Sequence, residues 1–112
     1  MALHHLRAGE KVHLPPLESR DEPRTSALVK TDRFETVQLV LHAGDEISNH
    51  SVAGYTTLLC LEGAAVLKCP EEVEISAGDW VYLDRSQQHS IRAGEDCSLL
   101  MTILFDLSLI HI

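Results

Sequence analysis

Two stretches decide the fold. The first runs Gly44-Asp45-Glu46-Ile47-Ser48-Asn49-His50-Ser51-Val52-Ala53-Gly54-Tyr55-Thr56 and continues to Gly63. The second runs Gly78-Asp79-Trp80-Val81-Tyr82-Leu83-Asp84-Arg85-Ser86-Gln87-Gln88-His89-Ser90-Ile91-Arg92-Ala93. In the first, five residues separate Gly44 from His50, one separates His50 from Val52, three separate Val52 from Thr56, and six lead to Gly63. In the second, five residues separate Gly78 from Asp84, one leads to Ser86, two more lead to His89, and three lead to Ala93.

Around these stretches, short runs rich in Val, Ile, Leu and Thr recur between breaks of Gly, Pro and Asp, and helical periodicity is nearly absent. Strands are expected at Ala27–Thr31, Phe34–Leu41, Tyr55–Glu62, Ala64–Cys69, Val73–Ile75, Asp79–Leu83, His89–Arg92 and Cys97–Phe105. Glycines 44, 63, 78 and 94 sit in the breaks, where tight turns need positive φ. The four prolines, Pro15, Pro16, Pro23 and Pro70, all fall outside the expected strands. Cys97–Phe105 is apolar on both alternating faces, which predicts cover on both sides. Many short strands with regular turns indicate a sandwich or barrel.

The spacing of both stretches resembles the two motifs of the cupin family, G-x5-H-x-H-x3-4-E-x6-G and G-x5-P-x-G-x2-H-x3-N. The flanking glycines and one histidine per motif match, at His50 and His89. Val52 and Thr56 stand where the family has its second histidine and its glutamate, and Asp84, Ser86 and Ala93 replace the usual proline, glycine and asparagine. The resemblance covers about residues 34–105. It implies an all-β fold, a small double-sheet jelly-roll β-barrel, with an N-terminal arm over 1–26, the barrel over 27–106 and a tail over 107–112. It also implies that arms of this kind pack on a second subunit. The Pro- and charge-rich stretch 9–26 fits an extended arm.

A chain of 112 residues is one domain with a modest core. Its net charge of −8 is uneven. Residues 1–33 carry six basic side chains against five acidic, and the rest carries three against twelve. An acidic body repels phosphate backbones, so nucleic acid is not expected as a partner. No apolar run is long enough for a membrane span, and Met1–Glu10 lacks the apolar stretch of a signal peptide. Cys60, Cys69 and Cys97 form no paired motif, which points to buried thiols in a reducing, cytoplasmic setting.

The expected ligand pocket is lined by His50, Val52, Thr56, Leu58, Cys60, Leu83, His89 and Ile91. In metal-binding relatives the motif side chains hold a transition metal. Here only His50 and His89 remain as ligands, with Cys60 a third candidate, since it alternates in phase with Thr56 and Leu58. One divalent metal, Fe, Mn, Ni or Zn, is therefore open as a cofactor. So is a metal-free pocket in which the two imidazoles hydrogen-bond an organic ligand. The first expectation is a module that binds or senses a small molecule. The alternative is a metal-dependent enzyme of dioxygenase, isomerase or decarboxylase type; which residues would be catalytic is not legible. His42, beside Gly44, reads as a rim residue, and Tyr55 as lining the pocket mouth. Trp80 and Tyr82 read either as a homodimer patch or as ordinary sheet packing. A homodimer is expected from the small core, the arm and the apolar tail.

Overall fold

The computed structural model describes residues 5–18, 22–50, 54–85 and 87–105, apart from the side chains of residues 49 and 50. Among these residues the chain is all-β. Nine strands follow in order: β1 (Arg24–Lys30), β2 (Phe34–Leu41), β3 (Glu46–His50), β4 (Gly54–Glu62), β5 (Ala64–Lys68), β6 (Glu72–Ser76), β7 (Trp80–Leu83), β8 (His89–Ala93) and β9 (Cys97–Phe105). They form two sheets, one ordered β1-β2-β9-β4-β7 and one ordered β3-β8-β5-β6. Every pairing is antiparallel.

The strands of the second half fall where alternation places them, within a residue or two at each end. Two differences are informative. β3 is not an expected strand, because in Glu46-Ile47-Ser48-Asn49-His50 only Ile47 is apolar. Pairing with β8 imposes it: Glu46 faces Arg92, Ile47 faces Ile91 and His50 faces His89. The four residues Ile47 to His50 of β3 lie opposite the three residues Ile91 to His89 of β8, a bulge beside the motif histidines. β1 starts at Arg24, opposite Val40, so the barrel begins inside the stretch expected to be arm. The tail expected over 107–112 lies outside the described residues.

The core lies between the sheets. Leu39, Leu99 and Cys60 form one cross-strand row, and Val37, Met101 and Leu58 form the next. The opposite sheet contributes Ala65, Leu67, Ile75, Ile91 and Ala93. Leu58, Leu67 and Leu99 have no exposed surface. Each such leucine contributes about 1.5–3 kcal/mol by leaving water.

The two Ala-Gly-Asp turns are built alike. Asp45 accepts the His42 N–H at 2.9 Å, and Asp79 accepts the Ser76 N–H at 2.9 Å. Gly63 is the tight point of the barrel. Its φ is +80°, and an added Cβ would meet the Asp96 carbonyl oxygen and the Cα and Cβ of Cys97, both at 2.8 Å. Only glycine fits there.

The N-terminal segment lies on its own barrel. The Leu6 N–H donates to the Leu28 carbonyl at 2.8 Å, and the Leu17 N–H donates to the Glu62 carboxylate. His13, Leu14, Pro15 and Pro16 pass over Leu61, Glu62 and Ser98. This explains why the outer face of β9 is covered only in part: Ser98 is 2% exposed, whereas Leu104 is 44% exposed. The expectation of cover on both sides of β9 holds only beneath the segment.

Candidate functional site

Period-2 alternation brings the motif residues of β4 and β8 to the inner face. Thr56, Leu58 and Cys60 on β4 are buried, as are His89, Ile91 and Ala93 on β8. Thr56 pairs with Leu83 on β7 and with Ile103 on β9. His50 stands directly opposite His89 in the register, while Val52 lies outside the described residues. Leu58, Cys60, Leu83 and Ile91 belong to the packed apolar core and are at most 2% exposed.

Two polar groups are enclosed at one end of the barrel. Thr56 is 1% exposed, and its Oγ1 has no hydrogen-bond partner among the described residues. Leaving a buried hydroxyl unsatisfied costs roughly 1–3 kcal/mol, so the atom marks a place where something polar is missing. His89 is 4% exposed, and its Nδ1 lies 3.2 Å from the Gln87 carbonyl oxygen. A carbonyl only accepts, so Nδ1 carries the proton in that bond. In the neutral ring Nε2 then keeps its lone pair, and it can accept from a ligand or bind a metal.

Sequence reading missed one polar group at this end. Glu35 pairs with Ile103, which also pairs with Thr56, so all three share one cross-strand row. Glu35 is in phase with Val37, Leu39 and Leu41, which all face the core, and it is half-buried. Following that phase back along β2 would have placed a carboxylate at the barrel mouth.

Cys60 is at the other end. Its Sγ lies 3.6 Å from the Gly63 carbonyl oxygen. The next residue, Ala64, accepts the Gly94 N–H at 3.0 Å, and Gly94 follows Ala93 at the end of β8. His89 is four residues back along β8, about 13 Å at strand rise. Cys60 and His89 therefore cannot share an ion. Burial and the nearby Asp79 push the Cys60 thiol up, and burial pushes Cys97 up to about 11. Both remain protonated core thiols at neutral pH. No group of three or more His, Cys, Asp or Glu among the described residues is placed to hold a metal ion. The described side chains thus do not fit a resident metal.

A cleft of about 430 Å³ lies on the outer face of the β3-β8-β5-β6 sheet, lined by Glu46, Ser48, Lys68, Pro70, Gln88, His89 and Ser90; Glu46, Lys68 and Ser90 alternate with the inward Ile47, Leu67 and Ile91. The Ser48 hydroxyl donates to Glu46 at 3.0 Å. Gln87 Nε2 donates to the Cys69 carbonyl at 3.1 Å, tying the loop before β8 to the end of β5.

His42 stands on the opposite rim, where its Nδ1 lies 3.4 Å from Asp96. The Ala43 N–H donates to the same carboxylate at 3.0 Å. That amide, followed by His42, lowers the Asp96 carboxyl below its ordinary range. Tyr55 does not line the mouth. Its neighbours Gly54 and Thr56 are buried, so it faces outward, with its ring centroid 6.3 Å from that of Tyr82.

No family model matches the sequence, and no curated protein matches it. Solved structures do. A cupin superfamily protein from Desulfitobacterium hafniense is 23% identical with a TM-score of 0.75, over 80% of this chain and 84% of its own. An RmlC-like cupin from Desulfovibrio desulfuricans is 20% identical with a TM-score of 0.69, over 89% of this chain and 97% of its own. A conserved protein of unknown function from Streptococcus pyogenes is 19% identical with a TM-score of 0.77, over 94% of this chain and 97% of its own. At these identities the likeness carries the fold, not the chemistry. Two antiparallel sheets, the motif glycines at their turns and these neighbours together show that the chain has the cupin fold, as a small single jelly-roll barrel.

Proposed function

We propose that this chain binds a small organic molecule, seated in the cleft on the outer face of the β3-β8-β5-β6 sheet beside His89. The observation that carries the reading is the cleft itself. Its volume of about 430 Å³ falls within the range of small-molecule sites. Its wall mixes one cation, Lys68, with one carboxylate, Glu46, and with the Ser48, Ser90 and Gln88 side chains, beside His89. Lys68 suits an acidic group on the ligand, and the hydroxyls and Glu46 suit its hydroxyl groups. A small hydroxy acid or sugar acid meets both demands.

Free Cys60, Cys69 and Cys97 support a reducing, cytoplasmic setting. Among the described residues no helix is long and apolar enough to cross a membrane.

The test is a thermal-shift and calorimetric screen of small organic acids and sugars on wild type, Lys68→Ala and His89→Ala. Binding selective for the native state raises its melting temperature. The expected hit is an acid whose shift falls in both variants. No hit in any class, or a hit indifferent to both substitutions, overturns the proposal. Stoichiometric Fe, Mn, Ni or Zn in untagged protein, lost in His89→Ala, would overturn it in favour of a metal-dependent enzyme.

A further inference from the structure

Basic side chains are scarce in the barrel. Residues 34–112 carry three, Lys68, Arg85 and Arg92, against twelve acidic ones. Two of the three are neighbours on the outer face of the β3-β8-β5-β6 sheet. Arg92 on β8 stands opposite Val66 on β5, and Lys68 lies two residues further along β5, opposite Ser90. Both are exposed, and they alternate with the buried Leu67, Ile91 and Ala93. Diagonal neighbours of this kind have Cα atoms about 7–8 Å apart, within common reach of two long side chains. The carboxylates of the face lie on the flanking strands. Glu46 on β3 stands opposite Arg92, and Glu72 and Glu74 on β6 stand opposite Lys68 and Val66. Charge across the sheet therefore runs acid, cation, cation, acid. No ion pair among the described residues holds Lys68 or Arg92.

We infer that the ligand of this cleft carries two acidic groups, one held by Lys68 and the second by Arg92. The inference rests on the binding role proposed above and narrows its ligand to a compact hydroxylated molecule with two acids. Lys68, Ser90 and Glu46 line the cleft, and Glu46 shares its row with Arg92. Arg92 thus stands at the end of the cleft away from Pro70 and Gln88, one diagonal step beyond Lys68. An acid on Lys68 alone leaves the second cation unused. A chain of about four to six carbons spans two heads at this spacing. The two cations also divide the work. Lys68 offers a point charge, and the planar guanidinium of Arg92 offers two parallel hydrogen bonds to a carboxylate or a phosphate. Between them the Ser90 and Ser48 hydroxyls suit the hydroxyls of the ligand. Glu46 and Glu72 set the limit on size. A longer polyanion laid across the sheet meets a carboxylate on either side, so the face selects a compact one.

The probes are gluconate, glucarate and phosphogluconate, which share one hydroxylated chain and carry one carboxylate, two carboxylates, or a carboxylate and a phosphate. Calorimetry on the wild-type chain at low salt should find glucarate or phosphogluconate at least about threefold tighter than gluconate, the worth of one added exposed charge pair. The probe with the larger advantage assigns the second acid as carboxylate or phosphate. Arg92→Gln should remove the advantage and leave gluconate unchanged, and Arg92→Lys, which keeps the charge, should restore most of it. Lys68→Ala should weaken all three. Salt at about 1 M, where the Debye length is about 3 Å, should erase the advantage. Thermal melts without ligand check that each variant keeps its fold. Equal binding of gluconate and both two-acid probes overturns the inference and leaves the binding role standing, and so does an advantage that survives Arg92→Gln. If none of the three binds, the inference falls, and the wider screen decides separately whether the binding role falls with it.

Discussion

Replacing Thr56 by valine should make the protein more stable. The side chain is 1% exposed, and its Oγ1 has no hydrogen-bond partner among the described residues. Its cross-strand neighbours, Leu83 and Ile103, are apolar. Valine has nearly the same shape, keeps the β-branch that suits a strand, and removes the group that cannot be satisfied. Relief of the buried hydroxyl is worth about 1–2 kcal/mol. For a domain of this size that is a rise of about 4–10 °C in melting temperature. The assay is urea unfolding followed by circular dichroism, in which the midpoint should rise with no change in slope. Thr56→Ser keeps the hydroxyl and loses a buried methyl, so it should cost about 1 kcal/mol. The reverse order, with serine above valine, would show that Oγ1 is bonded in solution and refute the reasoning.

Two further substitutions probe the frame. Gly63→Ala should cost about 3 kcal/mol or more, since alanine would be held at positive φ against Asp96 and Cys97; a urea midpoint within error of wild type would refute it. Asp96 binds its proton more weakly when folded than when unfolded, so its contribution is present above about pH 4 and is lost as pH falls through its lowered value. Asp96→Asn should therefore lose stability at pH 6 and converge with wild type at acid pH, while parallel curves down to pH 2 would show that the carboxylate does not contribute.

The fold was legible because its signals are local. Alternation in Cys97–Phe105 and Phe34–Leu41, and a glycine in each turn, were enough to lay out strands and breaks. β3 was illegible for the opposite reason: its strand character comes from β8, and nothing within Glu46–His50 announces it. The site was half legible. Phase along β4 correctly put Thr56, Leu58 and Cys60 on one face, but phase says nothing about height. Four residues of rise carry Cys60 to the far end from His89. Glu35 was readable by the same phase rule applied to β2. Trp80 and Tyr82, 62% and 54% exposed, could not be decided from sequence, because alternation separates two faces without saying which one the rest of the chain covers.

The position of β9 has a consequence for how this chain reaches its fold. β9 lies between β2 and β4, and it pairs Phe34 with Leu104, seventy positions apart. Until Cys97–Phe105 is in place, β1 and β2 form an isolated hairpin with no link to β4 and β7. Such a hairpin is marginal in water. No smaller piece of this sheet is an intermediate with a core of its own. The entropy of closing the long loop is therefore spent before most of the burial is gained, which favours slow, all-or-none folding. It also means that the aromatic edge at Trp80 and Tyr82 is exposed on unfinished chains for as long as that search lasts, an interval in which premature association is a hazard.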